Sequence, residues 1–241
     1  MNAGLVLSTF PGLGLLDRAF EQVGFCVVRG PDLLWGGDVR TFHAPTGRFD
    51  GVIGGPPCQR FSRLRHMVEA NGYALAPDLI PEFCRVVVEA QPCWWLMENV
   101  PAAPVPEVLG YQTHAQLLVD VAVGGFTSRC RRFTFGTREG RRLNVEQLAL
   151  HPDPEQAVLA RGGARRVPVA VGGSGKRKRT AGVGPARRAS LADLLRAQGL
   201  PPDYLAGCPL TASGKLQAVG NGVPQAMGLA VARAVLAATT T

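Results

Sequence analysis

The sequence lacks the signatures of several common protein classes. It contains no run of about 18 apolar residues, so we expect no membrane-spanning helix. No basic region precedes the first apolar stretch, and we expect no signal peptide. Its six cysteines include no CxxC pair and its four histidines are scattered, which argues against disulfides and a zinc site. These absences favour a cytoplasmic protein with reduced thiols and no metal.

Two nucleotide-binding fingerprints are also missing. Gly12 and Gly14 follow the first apolar stretch, but Asp17 occupies the third glycine position of GxGxxG, which argues against a dehydrogenase. Gly175 and Lys176 resemble the end of a phosphate-binding loop. However, Arg177 follows them where Ser or Thr is required, and no glycine stands at the earlier position.

Acidic residues are scarce in one segment of the chain. Residues 138–188 contain 12 Arg and Lys but 4 Asp and Glu, an excess of 8 that equals the net charge of +8 of the whole chain. Such a segment indicates a polyanionic partner, and the alternative is a solvated basic loop. The candidate nucleic-acid contacts within it are Arg165, Arg166, Lys176, Arg177, Lys178 and Arg179.

What the chain does contain is typical of one α/β domain. It has 241 residues, of which 46% are hydrophobic, enough for a sizeable core. Short apolar stretches alternate with segments of helical periodicity, which predicts a mostly parallel twisted sheet with helices on both faces. Strands are expected at 4–9, 25–29, 51–53, 93–97, 111–118 and 133–136, and helices at 15–23, 77–89 and 225–238.

A cysteine lies where one predicted strand stops. The apolar residues 51–53 are followed by Gly54-Gly55-Pro56-Pro57-Cys58. Prolines fix the backbone and glycines allow a tight bend, so Cys58 is held at a rigid strand end. The chemistry of α/β folds is located at such ends. A lone cysteine is more often a small buried hydrophobe, but this frame favours a functional residue.

A carboxylate and an amide follow another predicted strand. Residues 93–97 are apolar, and Glu98-Asn99-Val100-Pro101 come directly after them. An unpaired charge at the end of a buried strand is costly, so Glu98 indicates a functional role. Asn99 fits a structural role and a catalytic role equally.

These motifs resemble those of one family. Pro-Pro-Cys at 56–58, Glu-Asn-Val at 98–100 and Gly-Asn-x-Val-Pro at 220–224 occur in the order found in cytosine-5 DNA methyltransferases. The resemblance covers residues 4–137 and 187–238, and includes Phe10-x-Gly12-x-Gly14 and the two arginines of a Gln-x-Arg-x-Arg motif at 127–131. Ser8 and Thr127 replace the family's Asp and Gln.

The resemblance implies a Rossmann-like methyltransferase fold whose last strand is antiparallel. It implies a catalytic and cofactor-binding domain at 1–137, a short basic target-recognition region at 138–186, and a C-terminal segment at 187–241 that returns to the first domain. The implied cofactor is S-adenosylmethionine, without a metal. The implied partner is double-stranded DNA with the target cytosine flipped out, and we expect a monomer associated with the nucleoid.

The same resemblance implies the roles of individual residues. Cys58 is the expected nucleophile at carbon 6 of cytosine, Glu98 the group at ring nitrogen 3, and Arg131 the contact to the base carbonyl, with Arg129 on the same strand face. For Asp32, contact with a ribose and a plain turn are equally expected, and Asp38 is expected at the adenine amino group. The expected cofactor residues are Phe10, Gly12, Gly14, Asp32, Asp38, Pro56, Asn221 and Val223, and further DNA contacts are Gln59, Arg60, Ser62 and Arg63.

Two alternatives remain open on the sequence. One branch of the family acts on tRNA, and a short recognition region is compatible with an RNA cytosine-5 methyltransferase. The replacements at Ser8 and Thr127 are compatible with a catalytically silent relative that binds DNA. Whether the biological role is restriction-modification, gene regulation or phage anti-restriction is likewise open.

Overall fold

The structure is a computed structural model, and it describes residues 3–61, 70, 72, 77–147, 166–167, 187–188 and 190–240. Several predicted DNA contacts lie outside these residues: Ser62, Arg63, Arg165, Lys176, Arg177, Lys178 and Arg179. Arg166 is described only as part of a two-residue strand, and of Gln59 only the backbone is described.

A six-stranded mixed sheet forms the centre of the protein. Its strands are β1 (Leu5–Thr9), β2 (Cys26–Arg29), β3 (Gly51–Gly54), β4 (Trp94–Asn99), β5 (Gln112–Val119) and β6 (Cys130–Thr137). They lie in the order β2-β1-β3-β4-β6-β5. Neighbours among β1 to β4 are parallel, whereas β6 is antiparallel to both β4 and β5. The predicted Rossmann-like sheet with an antiparallel last strand is confirmed.

Five helices accompany the sheet in the described residues. They are α1 (Leu15–Val23), α2 (Ile80–Ala90), α3 (Leu191–Ala197), α4 (Ala212–Asn221) and α5 (Gln225–Thr239). Ser190 caps α3 and forms a capping box with Asp193. Two further strands, β7 (Arg166–Val167) and β8 (Arg187–Arg188), pair with each other.

The core occupies both faces of the sheet because neighbouring strand residues point to opposite sides. On one face, Val6 and Trp94 belong to a cluster with Phe20 of α1 and Val231 of α5. On the other face, Leu7 and Trp95 belong to a cluster that includes Phe83 and Val87 of α2. A third cluster joins Leu15 of α1 to Leu194, Leu205 and Val219, so the C-terminal segment packs against the first helix.

Strand β4 is longer than the sequence predicts. It includes Glu98 and Asn99, which stand opposite Phe133 and Arg132 of β6. The polar residues therefore continue the strand because β6 supplies a partner for their backbone. After β2, in contrast, two three-residue 3₁₀ helices, Leu33–Trp35 and Val39–Thr41, stand where a longer helix is usual in such folds.

Residues that follow β6 cover the edge of the sheet. The side-chain amide of Gln116 exchanges hydrogen bonds with the backbone of Val145, and Gln147 does the same with the backbone of Val119 and Leu117. Leu143 and Val145 join the core of the first face. The start of the predicted recognition region therefore packs on β5, and the division of the chain at 137/138 stays a prediction.

Within the described residues, no single helix is both long and apolar enough to cross a membrane. Helices α4 and α5 reach that length and composition only as a pair bent by 41°, and much of α5 is part of the core.

Candidate active site

The loop that carries Cys58 is fixed from both sides. It leaves β3 at Gly54, where a Cβ atom would lie 2.4 Å from the Thr9 hydroxyl, so only glycine fits. Asn99 of β4 donates from its side-chain amide to the Pro56 carbonyl at 3.2 Å. The Phe61 amide donates to the Cys58 carbonyl at 3.0 Å and starts a 3₁₀ helix. Asn99 therefore has a structural role, which is to join the Cys58 loop to the end of β4.

Glu98 and Arg131 form an ion pair beside this loop. The Arg131 Nε atom lies 2.8 Å from Glu98 Oε1, and both side chains are largely buried. A Cβ atom on Gly55 would lie 3.4 Å from Glu98 Oε2, so this carboxylate faces the backbone of the Cys58 loop. The guanidinium also donates to the Cys130 carbonyl at 2.9 Å. The three predicted catalytic residues Cys58, Glu98 and Arg131 are therefore brought together.

The charge state of Cys58 depends on its neighbours. Burial raises the pKa of the Cys58 thiol above its ordinary value, and the negative charge of Glu98 raises it further. The charges of Arg131 and Arg129 act in the opposite direction, but do not cancel the increase. In the free protein, Cys58 is therefore mainly a thiol near neutral pH, and its deprotonation has to accompany the reaction.

Arg129 directly precedes β6, which begins at Cys130. Its charge interacts with those of Arg131, Glu98 and Cys58, and its place on the same strand face as Arg131 stays a prediction. Its side chain is 4% exposed and donates to the Gly220 and Asn221 carbonyls at 2.6 and 2.7 Å. Burial and the Arg131 charge lower its pKa to about 10, so it remains charged at neutral pH. Arg129 therefore connects the start of β6 to the end of α4.

The glycine loop before α1 has an open backbone. Phe10, Gly12 and Gly14 all adopt left-handed conformations, with φ values of 55°, 55° and 72°. No atom lies within 4 Å of a Cβ built on Gly12, so a ligand can approach its backbone. Asp32 accepts from the Gly12 amide at 2.7 Å, and the Trp35 indole donates to the Gly12 carbonyl at 2.6 Å.

The other predicted cofactor residues lie on three separate segments, and the first of these is the Cys58 loop, which carries Pro56. Asp38 caps the 3₁₀ helix at Val39 and pairs with Arg40 at 2.6 Å, and the Arg40 hydrogen bonds lower the pKa of Asp38. Asn221 ends α4, and the buried Val223 follows it. A Cβ on Gly222 would lie 2.2 Å from Leu15 Cδ1, so this turn lies directly against the start of α1.

Three residues with contacts at these loops were not predicted. Trp35 contacts the glycine loop, Asp17 lies beneath it, and Arg132 of β6 donates to the Pro101 and Ala103 carbonyls after β4. The sequence offers a signal only for Asp17, a charged residue that directly follows Leu15 and Leu16 in the first turn of a helix. Among the described residues, no group of three or more His, Cys, Asp or Glu is placed to hold a metal ion.

Two curated proteins that are similar to this chain are type II methyltransferases. The type II methyltransferase M.HgiDI of Herpetosiphon aurantiacus is 28% identical over 169 residues, which cover 56% of this chain and 52% of that protein. M.NgoPII of Neisseria gonorrhoeae is 31% identical over 120 residues, 41% of this chain and 34% of that protein. The chain therefore spans about half or less of the length of these two relatives.

Solved structures share the fold over the whole chain. A prophage protein of E. coli, proposed to be a DNA modification methyltransferase, superposes with a TM-score of 0.64 at 16% identity and covers 98% of this chain and 99% of its own. DNMT2 of Spodoptera frugiperda gives a TM-score of 0.60 at 13% identity, with coverages of 96% and 99%. The sequence model of the family "C-5 cytosine-specific DNA methylase" matches residues 36–159. This match spans just over half of the 241 residues of the chain. The chain therefore belongs to the C-5 cytosine-specific DNA methylase family.

Proposed function

We propose that the protein transfers a methyl group from S-adenosylmethionine to carbon 5 of cytosine in double-stranded DNA. The observation that supports this most directly is the Glu98–Arg131 ion pair facing the loop that carries Cys58. A nucleophile, a carboxyl group and a fixed cation within one edge of the sheet are what addition to a pyrimidine ring requires. Membership of the family and the type II methyltransferase names of its relatives agree with this reaction.

Carbon 5 of cytosine is a poor nucleophile and needs activation. In the proposed reaction, the Cys58 thiol passes its proton to the Glu98 carboxylate, and the resulting thiolate forms a bond to carbon 6. Glu98, now protonated, gives a proton or hydrogen bond to ring nitrogen 3. The electron pair displaced to carbon 5 then forms the bond to the methyl group, while the bond between this methyl group and the donor sulfur breaks and leaves its electron pair on the sulfur. Loss of the carbon 5 proton to solvent or an unassigned base restores the double bond and expels the thiolate. Arg131 keeps the Glu98 carboxyl oriented and faces the base carbonyl.

The cofactor residues fit S-adenosylmethionine, whose sulfonium supplies the methyl group when bound. The open backbone of Gly12 can be approached by a ligand. Asn221 ends α4, and the next residue, Gly222, lies against Leu15 at the start of α1. Asp32 and Trp35 fix the loop and border it. We propose that the loop of Phe10, Gly12 and Gly14 together with Pro56, Asp38, Asn221 and Val223 forms the cofactor pocket. Because the Arg40 guanidinium already pairs with the Asp38 carboxylate, an adenine amino group would have to share that carboxylate.

Access to the base requires that the cytosine leaves the duplex, at a cost of about a few kcal/mol. Contacts to phosphates offset this cost. We propose that Arg60, Gln59, Ser62 and Arg63 make these contacts together with the basic residues of 138–186, and that the latter segment is the target-recognition region. The protein would act as a monomer in the cytoplasm at the nucleoid.

The test combines nucleoside analysis with variants of two cysteines. Purified protein is incubated with methyl-labelled S-adenosylmethionine and with duplex DNA or RNA, and the labelled nucleoside is identified. We expect 5-methylcytosine from DNA, none from the C58A variant, and normal activity from C93A, which alters an exposed cysteine elsewhere. Full activity of C58A would contradict the mechanism, and label in RNA alone would contradict the proposed substrate.

A further inference from the structure

A buried carboxylate is hydrogen-bonded to residues next to the glycine loop. Asp17, in the first turn of α1, is 1% exposed. Its Oδ1 atom accepts a hydrogen bond from the Ser8 hydroxyl at 2.6 Å, and its Oδ2 atom accepts one from Arg29 Nε at 3.1 Å. The three side chains come from α1, β1 and β2, so one carboxyl group connects three elements.

These elements are the ones that hold the two ends of the loop. Ser8 lies two residues before Phe10, whose amide donates to the Pro31 carbonyl just beyond β2. At the other end, a Cβ on Gly14 would lie 2.8 Å from an Arg29 Nη atom, so the guanidinium packs against the Gly14 backbone. Asp17 therefore acts on the loop through Ser8 at its start and through Arg29 at its end.

Joining three elements through a buried carboxylate has a cost in free energy, because the charged group loses its contact with water. Burial raises the pKa of Asp17, while the hydrogen bond from Ser8 and the charge of Arg29 partly counteract the increase. An apolar residue at this position would pack without that cost. In addition, Ser8 stands where the motif that the sequence resembles has an aspartate, and Asp17 places a carboxylate against the Ser8 hydroxyl from the helix.

We propose that Asp17 is the positioning residue of the cofactor loop: from α1, through Ser8 and Arg29, it supplies the carboxylate that holds Phe10–Gly14 in its binding conformation. This inference rests on the proposed function, since the loop is its cofactor site. It also gives the Ser8 replacement a compensating partner in the same chain. A relay of this kind acts on cofactor binding more than on the chemical step.

The test moves the carboxylate from the helix to the strand. Binding of S-adenosylhomocysteine is measured by calorimetry for the wild type and for D17N, D17S, S8D and the S8D/D17S double variant. We expect D17N and D17S to weaken binding about tenfold, as the loss of a hydrogen bond to a charged group allows. S8D alone also weakens it, because two carboxylates would meet, whereas the double variant binds within about threefold of the wild type.

The control is E21Q, which removes an exposed carboxylate of α1 that lies 3.7 Å from Arg29, and which should leave binding unchanged. In turnover assays the KM for S-adenosylmethionine should rise in D17N with little change in kcat. Equal affinity of wild type and D17N would overturn the role of Asp17, as would a double variant that binds no better than D17S. A wild type that binds no cofactor would overturn the proposed function as well, so the two failures are distinguishable.

Discussion

At the scale of single residues, charged neighbours act on the pKa of the Cys58 thiol in opposite directions. The Glu98 carboxylate raises the pKa of the thiol, whereas the Arg131 guanidinium lowers it. Alkylation requires the thiolate, so at pH 8 we expect faster alkylation of Cys58 in E98Q and slower alkylation in R131Q, each by a few-fold. In the wild type the rate should keep rising above pH 9, since burial places the pKa above the ordinary value of 9.0.

Iodoacetamide labelling followed by peptide mass spectrometry measures this rate, with exposed Cys93 as the internal reference. The methyl-transfer rate should fall in both variants, because each loses a proposed catalytic group. In E98Q, alkylation of Cys58 should become faster while methyl transfer becomes slower. This difference distinguishes the effect of the Glu98 charge on the thiol from the proposed role of Glu98 at the base. A lower alkylation rate in E98Q would contradict the electrostatic account of Cys58.

Trp35 offers a direct signal of cofactor binding. It is 51% exposed and contacts the Gly12 carbonyl, while the other two tryptophans, Trp94 and Trp95, are buried in the core. We expect S-adenosylhomocysteine to change the intrinsic fluorescence of the wild type. In W35F this signal should disappear and affinity should fall about fivefold, since the indole N–H is lost. A W35F protein with an unchanged fluorescence response would place the ligand away from this loop.

At the scale of elements, Arg129 connects the start of β6 to the end of α4. Its two hydrogen bonds to Gly220 and Asn221 span about ninety positions of sequence. In R129M both carbonyls lose their charged donor in a buried place, so we expect a loss of about 2–4 kcal/mol in the free energy of unfolding. Urea denaturation measures it, with R196M as the control, because Arg196 is exposed on α3. A loss below about 0.5 kcal/mol would contradict this stabilising role of Arg129.

The sequence predicted elements and motifs better than it predicted contacts between them. Helix α1 matches its predicted bounds, and Cys58, Glu98 and Arg131 meet as expected, because periodicity and strand-end position are local properties. The extension of β4 through Asn99 depends on pairing with β6. The roles of Asp17 and Arg132 depend on partners brought near by folding, for which the local sequence has no pattern.

At the scale of the whole molecule, the excess charge predicts how DNA binding responds to salt. Lys176, Arg177, Lys178 and Arg179 are half of the net excess of 8 in the basic segment. Each phosphate contact contributes about 0.9 to the slope of log K against log salt, so replacing all four by glutamine should lower the slope by about 3 to 4 if all of them contact phosphates. Fluorescence anisotropy of a labelled duplex at several salt concentrations measures the slope.

The control for this experiment is C58A, which should keep the wild-type slope because it changes no charge. The same quadruple variant should bind S-adenosylhomocysteine normally, since the proposed cofactor residues lie on the glycine loop and near Asn221, outside the basic segment. A smaller slope with normal cofactor binding would assign the basic segment to the nucleic-acid partner. An unchanged slope would instead assign the charge run to solvation, and the phosphate contacts would then fall to arginines elsewhere in the chain, such as Arg60 after the Cys58 loop.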